Sequence, residues 1–218
     1  MATKKDTAEV TIPALNIQEV NVRLVGDTPL ISHAWSEKAK LMMLQKQTKK
    51  ATTGKEIRRP AVEFAESLYW ITEKPNLSEM TDEEAQKILA EYLPKSKFGF
   101  PTTAFKAAAI DAAFQQNVVN KKTTIRGAIH VIGELAEIDG VPAMREDMVR
   151  IGMGTADLRY RAEFKTWSVT LPIRYNVNSV SLEQLVNFFN YGGFSNGVGD
   201  WRPAKGGTYG AFHVESAQ

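Results

Sequence analysis

From Lys165 to Tyr175 the chain alternates without a break. Trp167, Val169, Leu171, Ile173 and Tyr175 fall on one side, and Thr166, Ser168, Thr170, Pro172 and Arg174 on the other. Period two is the spacing of a strand with one apolar face, and it commits this part of the chain to a half-covered sheet. Pro172 cannot donate to a ladder, so it predicts an edge strand or a bulge. Ile17 to Gly26 alternates in the same way, with Val20, Val22 and Leu24 opposite Asn21 and Arg23. Asp27-Thr28-Pro29 ends that strand with turn-forming residues.

Helical patterns lie between these strands. Ser36 to Lys50 reads as a helix rich in Lys, Leu, Met and Gln, followed by a break at Thr52 to Gly54 and a second helix at Ala61 to Ile71. Thr81-Asp82-Glu83-Glu84 is a capping box, Thr at N-cap and Glu at N3, and opens a helix that stops before Pro94. Thr103 to Gln116 is built on alanine, the best helix former. Ile125 to Ile138 reads as one long strand whose glycines, Gly127 and Gly133, suggest a bend or bulge. Ser181 to Gln184 is a second capping box, with Val180 and Leu185 placed as its hydrophobic staple. It starts a helix running to Tyr191, and Gly192 stands where a left-handed C-cap is expected. A short strand, Thr208 to Val214, follows.

Without its insertions the order is strand, helix, strand, strand, helix, strand. That is an α+β arrangement with the split βαβ of a ferredoxin-like (RRM-like) βαββαβ core. A helical insertion occupies about 31–98, after the first strand, and a second, thumb-like one about 139–164, between the middle strands. Residues 1–14 are polar and read as a flexible arm, and 15–218 as a single domain. No apolar run approaches the ~20 residues of a membrane span, and cysteine is absent, which excludes disulfides and thiolate metal sites. A cytoplasmic protein with no membrane partner is expected.

Charge is uneven along the chain. Ser32 to Arg59 holds Lys38, Lys40, Lys46, Lys49, Lys50, Lys55, Arg58 and Arg59 against Glu37 and Glu56. From Pro60 to Lys95 acids dominate: Glu63, Glu66, Glu73, Glu79, Asp82, Glu83, Glu84 and Glu91. Adjacent segments of opposite sign can steer a polyanion to one face or let one copy dock on the next.

Between Gly192 and Gly207 lie six of the chain's 15 glycines, together with Trp201, Arg202 and Lys205. Glycine at that density is entropically costly and marks a backbone that turns sharply or approaches something closely. A stacking surface with two cations is what a loop against a nucleic-acid strand needs, so Gly197, Gly199, Trp201, Arg202, Lys205, Gly206 and Gly207 are candidate contacts. The second insertion adds Arg145, Arg150, Arg159 and Arg161, phosphate clamps, with Met144, Met148, Met153 and Tyr160 as wedges against bases. Lys106, one turn into the alanine helix, is a further candidate, as are His33, Lys38 and Lys40 in the basic segment. Catalysis is not expected. His33, His130 and His213 sit in different elements with no second ligand at a zinc spacing. There is no Walker loop and no Gly-x-Ser-x-Gly. Gly197-Val198-Gly199 precedes a strand, so it is not a dinucleotide fingerprint. No metal or cofactor is expected, and Asp27 reads as a turn residue.

Phe100-Pro101-Thr102-Thr103-Ala104-Phe105-Lys106-Ala107-Ala108, the glycine-rich stretch Gly192 to Gly210 and the interrupted ferredoxin-like order together resemble the RAMP superfamily. The likeness is to the backbone subunit that coats guide RNA in class 1 CRISPR effector complexes of antiviral defence, or to a stand-alone, phage-encoded relative. It implies a filament of identical subunits, partnered by single-stranded RNA and by other effector subunits. Binding would be independent of base sequence. Lys106 and Gly197 to Gly207 would touch the RNA backbone, the sheet face would form a palm, and Arg145 to Arg161 would belong to a thumb. Two other readings stay open: a phage single-stranded DNA-binding or recombination protein, and a self-assembling module without nucleic acid.

Overall fold

The computed structural model describes residues 14–48, 58–151 and 154–215 of the 218-residue chain. Residues 1–13 of the expected arm, the Thr52–Gly54 break, Lys49, Lys50, Lys55 and Met153 lie outside the described residues, as does the side chain of Lys38. In chain order the elements are β1 (Ile17–Gly26), β2 (Leu30–Ser32), α1 (Glu37–Gln47), α2 (Pro60–Ser67), β3 (Tyr69–Trp70), α3 (Asp82–Tyr92), β4 (Phe98–Pro101), α4 (Thr102–Gln115), α5 (Lys122–Ala128), β5 (Ile129–Val131), β6 (Leu135–Asp139), β7 (Pro142–Ile151), β8 (Thr155–Phe164), β9 (Ser168–Asn176), α6 (Leu182–Ser195) and β10 (Phe212–Val214). The molecule is mixed α and β, with antiparallel pairing throughout the described ladders.

The larger sheet runs β10-β1-β9-β6-β4-β3, with β5 also on β9. The two period-two segments lie side by side in it, from Ile17 against Asn176 to Val25 against Ser168. Val22, Leu24, Val169, Leu171, Ile173 and Tyr175 are all buried, as their alternation requires, while Thr170 and Arg174 on the other face are exposed. α4 and α6 pack against each other over the apolar face. Phe105 of α4 is fully buried and meets Phe212 edge-on, with ring centres 5.7 Å apart. Trp167 and Phe100 complete an aromatic cluster around it.

Both capping boxes form: Thr81 and Ser181 accept from the N3 amides of Glu84 and Gln184, whose side chains accept from the cap amides. Val180 and Leu185, the expected staple, are both buried.

Four expectations change. The long strand at 125–138 is instead the short helix α5 followed by β5 and β6, broken at Gly133 (φ +88°). The helix expected through Ile71 ends at Ser67, and Tyr69 to Trp70 pair with β4. Gly192 is no cap, because α6 continues to Ser195. A Cβ on Gly192 would lie 2.8 Å from the Ala108 carbonyl, and one on Gly193 would overlap the Phe212 carbonyl, so these glycines let α6 press against α4 and β10. Pro172 lies in a central strand. Its carbonyl accepts from Ile132 N at 2.8 Å. Its donor-less nitrogen therefore faces the same side, where the neighbouring strand is interrupted between β5 and β6.

The 31–98 stretch carries α1, α2 and α3, and also β2 and β3. The 139–164 stretch is a hairpin, β7 and β8, that joins β2 in a second, three-stranded sheet.

Candidate functional site

The glycine-rich loop is folded tightly. Past α6, Val198 is buried and its amide donates to Gly210 O at 2.9 Å. Asp200 N donates to Ile31 O (3.1 Å) and Gly210 N to Pro29 O (2.8 Å), which pins the loop to the β1–β2 connection. Gly199, at φ +82°, is forced to be glycine, because a Cβ would lie 2.6 Å from Ile31 O. A 3₁₀ turn at Pro203–Lys205 closes on left-handed Gly206, and Tyr209 N returns to Trp201 O at 3.1 Å. Trp201 itself is left-handed (φ 54°), unusual for a residue with a Cβ. The loop is thus a hydrogen-bonded scaffold that presents its side chains.

The hairpin meets this loop. Arg145 pairs across the ladder with Arg161, and Asp147 with Arg159. Alternation puts Arg145, Asp147, Asp157, Arg159, Arg161 and Glu163 on one face. Arg145 donates to Asp147 (2.7 Å) and Glu163 (2.8 Å). Burial disfavours its charge, but hydrogen bonds to Asp147, Glu163 and Tyr209 outweigh that and raise its pKa. Arg161 is buried between Asp200 (3.4 Å) and Asp147 (3.6 Å). Arg159 donates to Asp157 at 2.8 Å, and Arg58 reaches the same carboxylate at 2.8 Å. The guanidinium of Arg145 lies 4.7 Å from the Tyr209 ring and 5.6 Å from that of Trp201, and Arg161 lies 6.0 Å from Trp201. Trp201 and Tyr209 meet edge to face at 6.1 Å.

The structure brings Trp201, Arg145 and Arg161 together. Arg145 and Arg159 are hydrogen-bonded to carboxylates of the protein and Arg161 is ion-paired with two, and Arg145 and Arg161 lie against the loop's aromatic pair. As phosphate clamps they would first have to give up those partners. Arg150 and Lys205 have no carboxylate partner among the described residues; Arg202 donates to Gly199 O, at 3.2 Å, and its charge acts on the Asp200 carboxylate. Gly197, Gly199, Gly206 and Gly207 supply backbone shape, Gly207 by lying against the Trp201 carbonyl.

His33 joins the cluster from the end of β2, its Nδ1 3.0 Å from Asp200 Oδ2. Burial raises the Asp200 pKa. The His33 hydrogen bond and the nearby charges of His33, Arg161 and Arg202 outweigh it, so the carboxyl titrates below its ordinary value. Beside His33 a cleft of about 260 Å³ is walled by Met42, Arg58, Glu63 and Arg159. Lys40 is exposed on α1. Lys106 stands apart from the cluster, on α4; partial burial and the charge of Arg126 lower its pKa.

The uncovered sheet face, the expected palm, carries matched ion pairs: Arg174–Glu19 (2.9 Å), Arg23–Glu215 (3.1 Å) and Lys97–Glu137 (2.9 Å). It is not a basic surface. Asp27 is engaged there by His213, at 2.6 Å. Among the described residues no cluster of three or more acids and histidines could hold a metal ion, and no helix is long and apolar enough to cross a membrane.

Asp147, Asp157, Glu163, Asp200, Tyr209 and Arg58 did not stand out as site residues in the sequence. For the hairpin acids a signal existed: Arg-x-Asp at 145–147 and Asp-x-Arg-x-Arg-x-Glu at 157–163 alternate sign at the strand period. No family model matches the chain, and no curated protein matches it in sequence. Among solved structures, the crystal structure of Cmr6 from Pyrococcus furiosus is a loose spatial likeness. It covers 93% of this chain and 100% of that one, at 11% identity and a TM-score of 0.36.

Proposed function

We propose that the protein binds single-stranded nucleic acid, RNA foremost, without reading base sequence, and does so as a repeating subunit on a ferredoxin-like, RAMP-type core. The carrying observation is the setting of Trp201. Its backbone is locked in a left-handed turn and its ring is braced by Tyr209, Arg145 and Arg161, yet it stays 39% exposed. Lys205, without a carboxylate partner among the described residues, and Arg202, whose charge also acts on Asp200, flank it. A rigid aromatic beside cations is a stacking platform with an electrostatic rim, and such platforms tolerate any base. The core reading is supported by the strand order β10-β1-β9-β6 with α4 and α6 on one face. That is the fourth, first, third and second strand of a βαββαβ unit once the insertions are set aside.

The test is fluorescence anisotropy of a labelled ~20-nucleotide single strand across a salt series. If Arg150, Arg202 and Lys205 each meet a phosphate, log affinity falls against log salt with a slope of about −2. An RNA competitor should displace the strand better than DNA of the same sequence, since only RNA offers the 2′-hydroxyl. Absence of binding at low salt, or a flat salt response, would overturn the reading. Preference for DNA would move it to the single-stranded DNA-binding alternative.

A further inference from the structure

A second tryptophan is set much as Trp201 is. The ring of Trp35 is 63% exposed and meets no other aromatic ring among the described residues. Its backbone, by contrast, is held on both sides. Ala34 N donates to Ser67 O at 2.9 Å, and Ser32 Oγ donates to the same carbonyl at 2.8 Å. On the other side Ser36 Oγ accepts from Ala39 N at 3.1 Å and caps the first turn of α1. A ring on an anchored backbone has little freedom left to lose when a ligand covers it, which is the condition for a good contact.

The segment that carries Trp35 is tied to the loop that carries Trp201. Asp200 N donates to Ile31 O at 3.1 Å, and His33 Nδ1 lies 3.0 Å from Asp200 Oδ2. Trp201 follows Asp200 directly, and Trp35 is two residues past His33. With every bond and chain step on that route at full stretch, the two tryptophan Cα atoms are separated by no more than about 22 Å. At the ~3.4 Å spacing of stacked bases along one strand, six or seven nucleotides cover that distance, and fewer do when the strand is extended. Proteins that hold a single strand without reading it place aromatic side chains under several of its bases, one ring to a base.

We infer that Trp35 is a second stacking platform for the single strand. One base lies on Trp201, a base a few nucleotides along lies on Trp35, and the strand backbone between them crosses the His33–Asp200 contact. The inference rests on the strand-binding reading of Trp201. It adds to that reading a course for the strand over the surface, from the glycine-rich loop across the end of β2 to the start of α1.

The experiment is anisotropy of the labelled ~20-nucleotide strand with Trp35→Ala, Trp35→Phe and Trp201→Ala, combined with tryptophan emission. Trp35→Ala should bind about 5- to 100-fold more weakly, as loss of one base stack does. Its log–log salt slope should equal that of the wild type, because no phosphate contact is removed. Trp35→Phe keeps a flat ring and should retain most of the affinity. In Trp201→Phe, a saturating strand should still quench the indole emission. Adding Trp35→Phe should abolish that quenching, because the remaining tryptophans, Trp70 and Trp167, are packed in the core. If the wild type binds and Trp201→Ala binds weakly, but Trp35→Ala binds like the wild type or the emission of Trp35 does not respond, the inference is overturned and the reading of Trp201 stands. A wild type that binds no strand at low salt overturns that reading, and the second platform with it.

Discussion

At Trp201, Gly206 and Gly207 the loop's geometry turns into measurable energies. A Cβ on Gly207 would overlap the Trp201 carbonyl, whereas one on Gly206 would meet open space. Gly207→Ala should therefore destabilise by about 1–3 kcal/mol or more through forced displacement. Gly206→Ala should cost only the left-handed backbone strain, about 1–2 kcal/mol. Urea denaturation of the two variants checks the order. Trp201→Ala should lose about 1–3 kcal/mol of strand binding if the ring stacks on a base, read as the anisotropy midpoint at fixed salt. Asp200 is the fourth residue with a definite consequence. Its native pKa lies below the unfolded one, so its ion pairs stabilise in full above about pH 3.9. That stabilisation fades as pH falls through the lowered native value. The stability gap between wild type and Asp200→Asn should accordingly be widest near neutrality and close on acidification, followed by chemical denaturation between pH 7 and pH 2. Of this site the sequence exposed the loop, its tryptophan and its cations, because glycine density and aromatic–basic composition are local signals. It hid the partners that arrive from elsewhere in the chain, Glu163 for Arg145 and Asp147 with Asp200 for Arg161. Only the register of β7 on β8 brings Arg145 beside Arg161 and Asp147 beside Arg159, and only the loop's return to β2 brings Asp200 to Arg161.

Among the elements, those with strong periodicity or explicit caps match their sequence pattern closely. β1, β9 and α4 do so because alternation and alanine density act over ten or so residues, and α3 and α6 begin where their capping boxes lie. α5 escaped notice because Thr123, Thr124 and Ile125 favour strands, and a seven-residue helix is set by packing rather than propensity. Gly192 was ambiguous for another reason: a glycine pair near a helix end signals a cap, and only the Ala108 backbone crossing beneath it reveals the close approach. Gly192→Ala should push α4 and α6 apart and cost about 1–3 kcal/mol, as overpacking does. A lowered thermal midpoint with unchanged far-ultraviolet dichroism would identify the loss as packing rather than helix content.

For the whole molecule, the surface proposed to meet a polyanion is the hairpin–loop junction. Strand binding there should weaken as salt rises, read by anisotropy over a salt series. The sheet order has a further bearing, on how the chain comes to be folded at all. β1, the earliest strand among the described residues, has β9 and β10 as its partners. On a ribosome its apolar face must wait, unsheltered, until those distant segments have been synthesised, and pairings over such separations close slowly. Nascent copies crowded on one messenger would meet in that open state, which makes slow, dilute synthesis the gentler route to soluble material.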